Sequence, residues 1–125
     1  MAHATILYVE DNRLVLHMVK ETLDLEGWRV ETCEDGLTAL GRIESATPFD
    51  LILLDNDLPG VSGVELAQQA RGMWHRRRTP ILMLSASDCR REAGRAGVNC
   101  FLKKPEDIYG VVAAIKRLMA ASLGE

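Results

Sequence analysis

Five short segments rich in β-branched and aliphatic residues, ATILYV, WRVETC, FDLILL, PILMLS and VNCFLK, recur along the chain, separated by longer polar stretches of helical periodicity. This is the pattern of a parallel sheet, because parallel neighbours need a crossover long enough to return the chain to the same sheet end. Between the first two segments Leu14, Met18 and Leu25 recur at helical spacings, and Gly27 stands where a helix should stop. Further helices are predicted to begin near Asp35, Gly63, Ser87 and Glu106.

Strand character then fixes strand order. Strands buried on both faces read as continuous apolar runs, whereas edge strands alternate. The first, third and fourth segments are continuous. Trp28, Val30 and Thr32 alternate with Arg29, Glu31 and Cys33, and Val98, Cys100 and Leu102 alternate with Asn99, Phe101 and Lys103, so the second and fifth read as edges. With right-handed crossovers this favours a doubly wound α/β sheet of order 2-1-3-4-5, whose switch point lies between strands one and three. Ligands of such sheets bind there, beyond the carboxyl ends of the strands.

A chain of 125 residues with 47% hydrophobic content suits one domain spanning residues 1–125, and no linker, repeat or low-complexity tract divides it. Eighteen acidic against 15 basic residues leave a net charge of −3, which gives no general attraction to nucleic acid or anionic lipid. Three cysteines, Cys33, Cys89 and Cys100, form no metal-binding spacing and no even framework, as expected for a reducing cytoplasm. Cys33 and Cys100 are expected in core packing. No signal-peptide pattern opens the chain, and no stretch approaches the roughly 18 apolar residues of a membrane span. His3, His17 and His75 show no metal spacing.

Residues just past each strand carry the chemistry. The first strand ends in Glu10-Asp11 and the third in Asp55, so three carboxylates converge on the switch point. Carboxylates so close raise one another's cost of ionisation, which a hard divalent cation relieves. Mg²⁺ suits them, since it takes one or two carboxylates, keeps waters and leaves room for a phosphate. The fourth strand ends in the hydroxyl of Ser85, and the fifth runs into Lys103-Lys104-Pro105. A carboxylate nucleophile, a metal, a hydroxyl and a lysine together match phosphoryl transfer, in which catalysis is mainly positioning and charge neutralisation.

The acidic pair in VEDN, the LLDNDLPGVSG block, the LSA step and the FLKKP segment resemble, in kind and order, the motifs of bacterial response regulator receiver domains, over nearly the whole chain. The resemblance implies a CheY-like, flavodoxin-like (βα)₅ fold. It implies that Asp55 is the phosphorylated aspartate of two-component signalling, that Asp11 and Asp55 bind Mg²⁺, with Glu10 ligating directly or through water, and that the Asp57 backbone carbonyl is a further ligand. Ser85 takes the place of the switch hydroxyl, Lys104 that of the lysine that ion-pairs with the phosphoryl group, and Phe101 that of the switch aromatic. A cis peptide is implied between Lys104 and Pro105, aiming the lysine at the site. The implied donor is a histidine kinase or histidine phosphotransfer protein, docking near Asn12, Arg13, Leu14 and Asn56, with no turnover of an external substrate. Output would leave through the fourth helix, fifth strand and fifth helix to an effector the sequence does not name, from a monomer or a weak phosphorylation-dependent dimer, with no direct contact to nucleic acid or membrane.

Three positions depart from the family pattern. Asp57 stands where a neutral side chain is commoner and is expected to alter the lifetime of the acyl phosphate or the cation requirement. Ser85 replaces threonine, losing the stiffer rotamer of a β-branched residue. Glu106 stands where an aromatic is usual, and suits the first turn of the last helix. Glu10, Asp11, Asp50 and Asp57 could instead cap helices or fill turns, and Asp50, before its strand, reads as a turn residue. Arg76-Arg77-Arg78 reads as solvated loop charge. The segment ASDCRREAGRAG, with Gly94 inside it, is expected to form a short, poorly held helix.

Two other functions compete. Asp55-Asn56-Asp57 after an apolar strand resembles the DxD motif of haloacid-dehalogenase-type phosphatases, but Pro59 is foreign to that motif and the chain is short for a cap domain. A non-phosphorylated interaction module of the same fold is the other alternative. A dinucleotide-binding domain is weaker, because EDNR after the first strand lacks a glycine fingerprint.

Overall fold

The computed structural model describes residues 4–123. Five strands alternate with five helices: β1 Thr5–Val9, α1 Arg13–Asp24, β2 Arg29–Cys33, α2 Gly36–Glu44, β3 Leu51–Leu54, α3 Gly63–Gly72, β4 Ile81–Ser85, α4 Arg90–Arg95, β5 Cys100–Lys103 and α5 Val111–Leu123. The strands form one parallel sheet in the order β2-β1-β3-β4-β5. This is the flavodoxin-like α/β architecture expected from strand burial: β1, β3 and β4 are buried almost end to end, while β2 and β5 stay partly exposed.

Side chains alternate across the pleat, so each strand feeds two cores. Ile6, Tyr8, Leu53, Leu82 and Leu84 meet α1 and α5 on one face, through Val19, Leu23, Val111 and Ile115. Leu7, Val9, Ile52, Leu54 and Ile81 meet α2 and α3 on the other, through Ala39, Ile43, Leu66 and Ala70. The three cysteines are free; Cys33 and Cys89 are buried and Cys100 is half-buried against the first core, as packing residues. The Lys104–Pro105 peptide bond is cis. Among the described residues no helix is long and apolar enough to cross a membrane. His3 lies outside the described residues.

Several local expectations are corrected. In α1 the inward face is Val15, Leu16, Val19 and Leu23, whereas Leu14 and Leu25 are 84% and 87% exposed and Met18 is half-exposed. Helical spacing alone could not say which of two apolar stripes the sheet would take. α4 begins at Arg90 rather than near Ser87, because the Ser87 amide donates to Ser85 Oγ in a local turn. It is short, as expected, with only Ala93 buried. α5 begins at Val111, not near Glu106: Asp107 first closes a turn on Lys103, its amide donating to the Lys103 carbonyl and its Oδ2 accepting from the Lys103 amide, and a 3-10 turn follows at Ile108–Gly110. Glu106 is exposed in that turn and belongs to no helix terminus.

Arg76 is not solvated charge. It is buried at 2% exposure, donates to the carbonyls of Ile43, Ser45 and Thr47, and stacks on Phe49 with its guanidinium carbon 4.8 Å from the ring centre. It thereby satisfies carbonyls left open where α2 ends. Arg71 does similar work between α3 and the strands, donating to the carbonyls of Gly97, Arg76 and Thr79 and to Asn99 Oδ1. Arg77 and Arg78 are exposed as expected. Asp50 serves more than a turn, since its Oδ2 accepts from the Thr5 amide at 2.8 Å and ties the start of β1 to β3.

Candidate functional site

The carboxyl ends of β1 and β3 place three acids together because the flanking chain is pinned. Asn12, not Glu10 or Asp11, caps α1, its Oδ1 accepting from the amides of Leu14 at 3.0 Å and Val15 at 3.2 Å. Both acids are thereby left for other partners. After β3, Asn56 Oδ1 accepts from the Val64 amide at 3.0 Å and the Asn56 carbonyl from the Gly63 amide at 3.1 Å, fastening the loop to the start of α3. A Cβ on Gly63 would stand 2.2 Å from the Asp55 carbonyl oxygen, so only glycine permits this approach. Each of Glu10, Asp11 and Asp55 offers an oxygen within 4.8 Å of the others.

Lys104, delivered from the end of β5, closes the cluster. Its Nζ donates to Glu10 Oε1 at 2.6 Å and to Asp55 Oδ2 at 3.3 Å, while Glu10 Oε2 accepts from the Asn12 amide at 3.1 Å. Glu10 is 1% and Asp55 5% exposed. Burial pushes the Glu10 carboxyl above its usual range, and the charge of Asp55 adds to this against the Lys104 hydrogen bond. Burial would lower the Lys104 ammonium, but the Glu10 hydrogen bond and the Asp55 charge outweigh it and hold that group above its ordinary value.

The remaining sequence candidates fall around this centre. Asp57 is exposed; its amide donates to Asp55 Oδ1 at 3.3 Å, and its carboxylate lies outside the three-acid cluster. Ser85 is fully buried, and its hydroxyl lies 2.9 Å from Ser87 Oγ. Phe101 is half-buried on β5, with the Arg90 guanidinium 4.9 Å from its ring centre. Gly63 and Ser87, predicted only as helix starts, also contact the site: Gly63 lies against the Asp55 carbonyl and Ser87 against the Ser85 hydroxyl. The Ser62-x-x-Glu65 capping box, which is present, is the sequence signal that puts Gly63 at the first position of α3, beside the acid loop.

An all-oxygen cluster of three carboxylates fits a hard divalent ion of the Mg²⁺ type. Glu10 is held by Lys104 and the Asn12 amide at 2.6 and 3.1 Å, more closely than Asp55 by its two donors, both at 3.3 Å, so Asp11, which is exposed, and Asp55 are the more available pair. What this arrangement can do is hold a cation against a carboxylate that an ammonium also reaches.

Residues 6–116 match the family described as Response regulator receiver domain. The chain is a receiver domain. It is 36% identical over 117 residues to the response regulator MprA of Mycobacterium tuberculosis, covering 91% of this chain and 50% of that protein. This receiver domain thus spans about half the length of the curated relatives it matches. Among solved structures, the receiver domain of sensor histidine kinase PA1611 from Pseudomonas aeruginosa, with magnesium coordinated in its active-site cleft, is 30% identical with a TM-score of 0.86, covering 94% of this chain and 98% of that one. The BeF₃-activated DrrB receiver domain is 27% identical with a TM-score of 0.81, covering 94% and 98%. Receiver domains are phosphorylated by histidine kinases and are not enzymes acting on external substrates. The phosphatase reading of Asp55-Asn56-Asp57 is therefore set aside.

Proposed function

We propose that Asp55 is the phosphoacceptor, taking a phosphoryl group from the phosphohistidine of a histidine kinase or phosphotransfer protein. The observation that carries this is the Asp55 carboxylate, buried within reach of the Lys104 ammonium and grouped with Glu10 and Asp11. An Asp55 carboxylate oxygen attacks phosphorus, the new O–P bond forms as the P–N bond breaks, and the electron pair of that bond returns to the imidazole nitrogen. Lys104 supplies positive charge to the phosphoryl oxygens, and the Ser85 hydroxyl donates to one of them. Asp11 and Asp55 would hold Mg²⁺, with Glu10 through water and the Asp57 backbone carbonyl completing the set; the ion, when bound, neutralises charge on the transferred group.

The donor docks over the rim formed by Asn12, Arg13, Leu14 and Asn56, where Leu14 offers an exposed apolar contact beside the acids. Residues 1–125 act as one receiver unit, with α4, β5 and α5 as the output surface and Phe101 as its aromatic reporter. The Asp57 side chain, exposed beside the acceptor, tunes the lifetime of the acyl phosphate or the Mg²⁺ affinity.

Incubation with a small phosphodonor and Mg²⁺, followed by intact-mass measurement, tests the assignment. A single phosphoryl increment in the wild type that disappears in Asp55→Ala is expected. No increment at saturating Mg²⁺ would leave a receiver fold that signals without phosphate, and an unchanged increment in Asp55→Ala would move the acceptor elsewhere.

A further inference from the structure

From the end of β4 to the start of α4 the side chains form one directed hydrogen-bond chain. Ser85 Oγ lies 2.9 Å from Ser87 Oγ, Ser87 Oγ 3.5 Å from Cys89 Sγ, and Cys89 Sγ 3.7 Å from Met83 Sδ. A thioether only accepts, so the Cys89 S–H points to Met83 and the Cys89 sulfur accepts from Ser87. The Ser87 proton is thereby used, and the proton between the two serines belongs to Ser85. Met83, Ser85 and Cys89 are buried and Ser87, which links them, is half-buried.

A hydroxyl has one proton, and the oxygens of a phosphoryl dianion only accept. Ser85 therefore cannot donate to Ser87 and to a phosphoryl group on Asp55 at once. We propose that Ser87 is a positioning residue that holds the Ser85 proton in the unphosphorylated protein and must release it on phosphorylation, an inference that rests on Asp55 being the phosphoacceptor. Release also reaches α4. When Ser85 turns away, Ser87 loses its donor and its link to Cys89 is free to rearrange. Cys89 is the residue before α4, whose N-terminus has no side-chain cap, and the next residue, Arg90, stacks on Phe101.

Beryllofluoride with Mg²⁺, titrated by calorimetry, reads the competition directly. Ser87→Ala removes the competing acceptor and is expected to tighten beryllofluoride binding about threefold to tenfold, the worth of one neutral hydrogen bond. Ser87→Thr, which keeps the hydroxyl, should restore wild-type affinity. In a Ser85→Ala background, Ser87→Ala should have no effect, because the proton in question is gone. Equal tightening in both backgrounds, or none in either, overturns the proposal. A second measurement needs no phosphoryl chemistry: in the free protein Ser87→Ala should speed amide exchange over residues 90–93, and unchanged exchange there counts against the chain. If the wild type binds no beryllofluoride, the phosphoacceptor assignment fails, and the exchange comparison still decides whether Ser87 holds α4.

Discussion

Lys104 lies nearer to Glu10 than to Asp55, with its Nζ 2.6 Å from Glu10 Oε1 and 3.3 Å from Asp55 Oδ2. The ammonium is thus held chiefly by a carboxylate other than the acceptor, and it remains within reach of a group arriving on Asp55.

Removing that ammonium leaves Glu10 buried and short of its countercharge. Lys104→Met should destabilise the protein by about 3 kcal/mol at neutral pH in metal-free buffer. Without Lys104 the Glu10 carboxyl moves further above its unfolded value, so the folded state binds a proton more readily than the unfolded state. The penalty should therefore shrink as pH falls through the folded value. Urea unfolding at neutral and at mildly acidic pH checks this; a pH-independent penalty would show that Glu10 finds another partner.

Gly63→Ala couples fold to chemistry. The added Cβ, 2.2 Å from the Asp55 carbonyl oxygen, must push the acceptor loop away from α3. A stability loss of about 2 kcal/mol and a phosphorylation rate roughly tenfold to hundredfold lower are expected. Comparing the rate under conditions where the variant is fully folded separates the two effects, and a wild-type rate there would mean that the loop accommodates the methyl group.

Tyr8 carries a buried hydroxyl with no hydrogen-bond partner among the described residues. Tyr8→Phe should therefore be stabilising by about 1 kcal/mol. Burial, then the charges of Glu10 and Asp55, hold the phenol far above its ordinary value. The unfolded chain ionises near its usual pKa of about 10 while the folded one stays neutral, so stability falls as pH rises past that point. Tyr8→Phe removes this contribution. Thermal melts of both proteins across alkaline pH should diverge, with the substituted protein losing less.

The far end of the sheet offers a control. Arg76→Ala strands the Thr47 carbonyl, leaves those of Ile43 and Ser45 to His75 Nε2 alone, removes the stacking on Phe49 and should cost about 3 kcal/mol. Phosphorylation per folded molecule should be unchanged, because Arg76 lies before β4 and the acids lie beyond the other ends of the strands. A slowed rate in fully folded protein would reveal communication along the sheet.

Strand order and the site were legible because both rest on rules that act residue by residue. Leu51 to Leu54 form an unbroken apolar run because both faces are covered, and Asp55 is simply the next residue. Legibility stopped where a partner must be known first. Whether Leu14 or Val15 faces the sheet depends on how α1 is rotated against β1. Arg76 looks like surface charge until the end of α2 presents carbonyls to it. Glu106 follows Pro105 as a helix-opening acid would, but the turn closed by Asp107 and Lys103 takes those residues first. Ser87 is unremarkable in sequence and gains meaning only from the rotamer of Ser85.

Arg71 fastens one end of α4 and not the other. It donates twice to the carbonyl of Gly97, just past the helix, and once to Asn99 at the approach to β5. The leading end is joined to the rest of the molecule by the soft thiol contact of Cys89, the Ser87 link and the stacking of Arg90 on Phe101. α4 is in mechanical terms a cantilever, clamped at its trailing end and sprung at the end nearest the acids. A small release there would swing the free end through an arc while the Gly97 pivot and the sheet beneath it stay still.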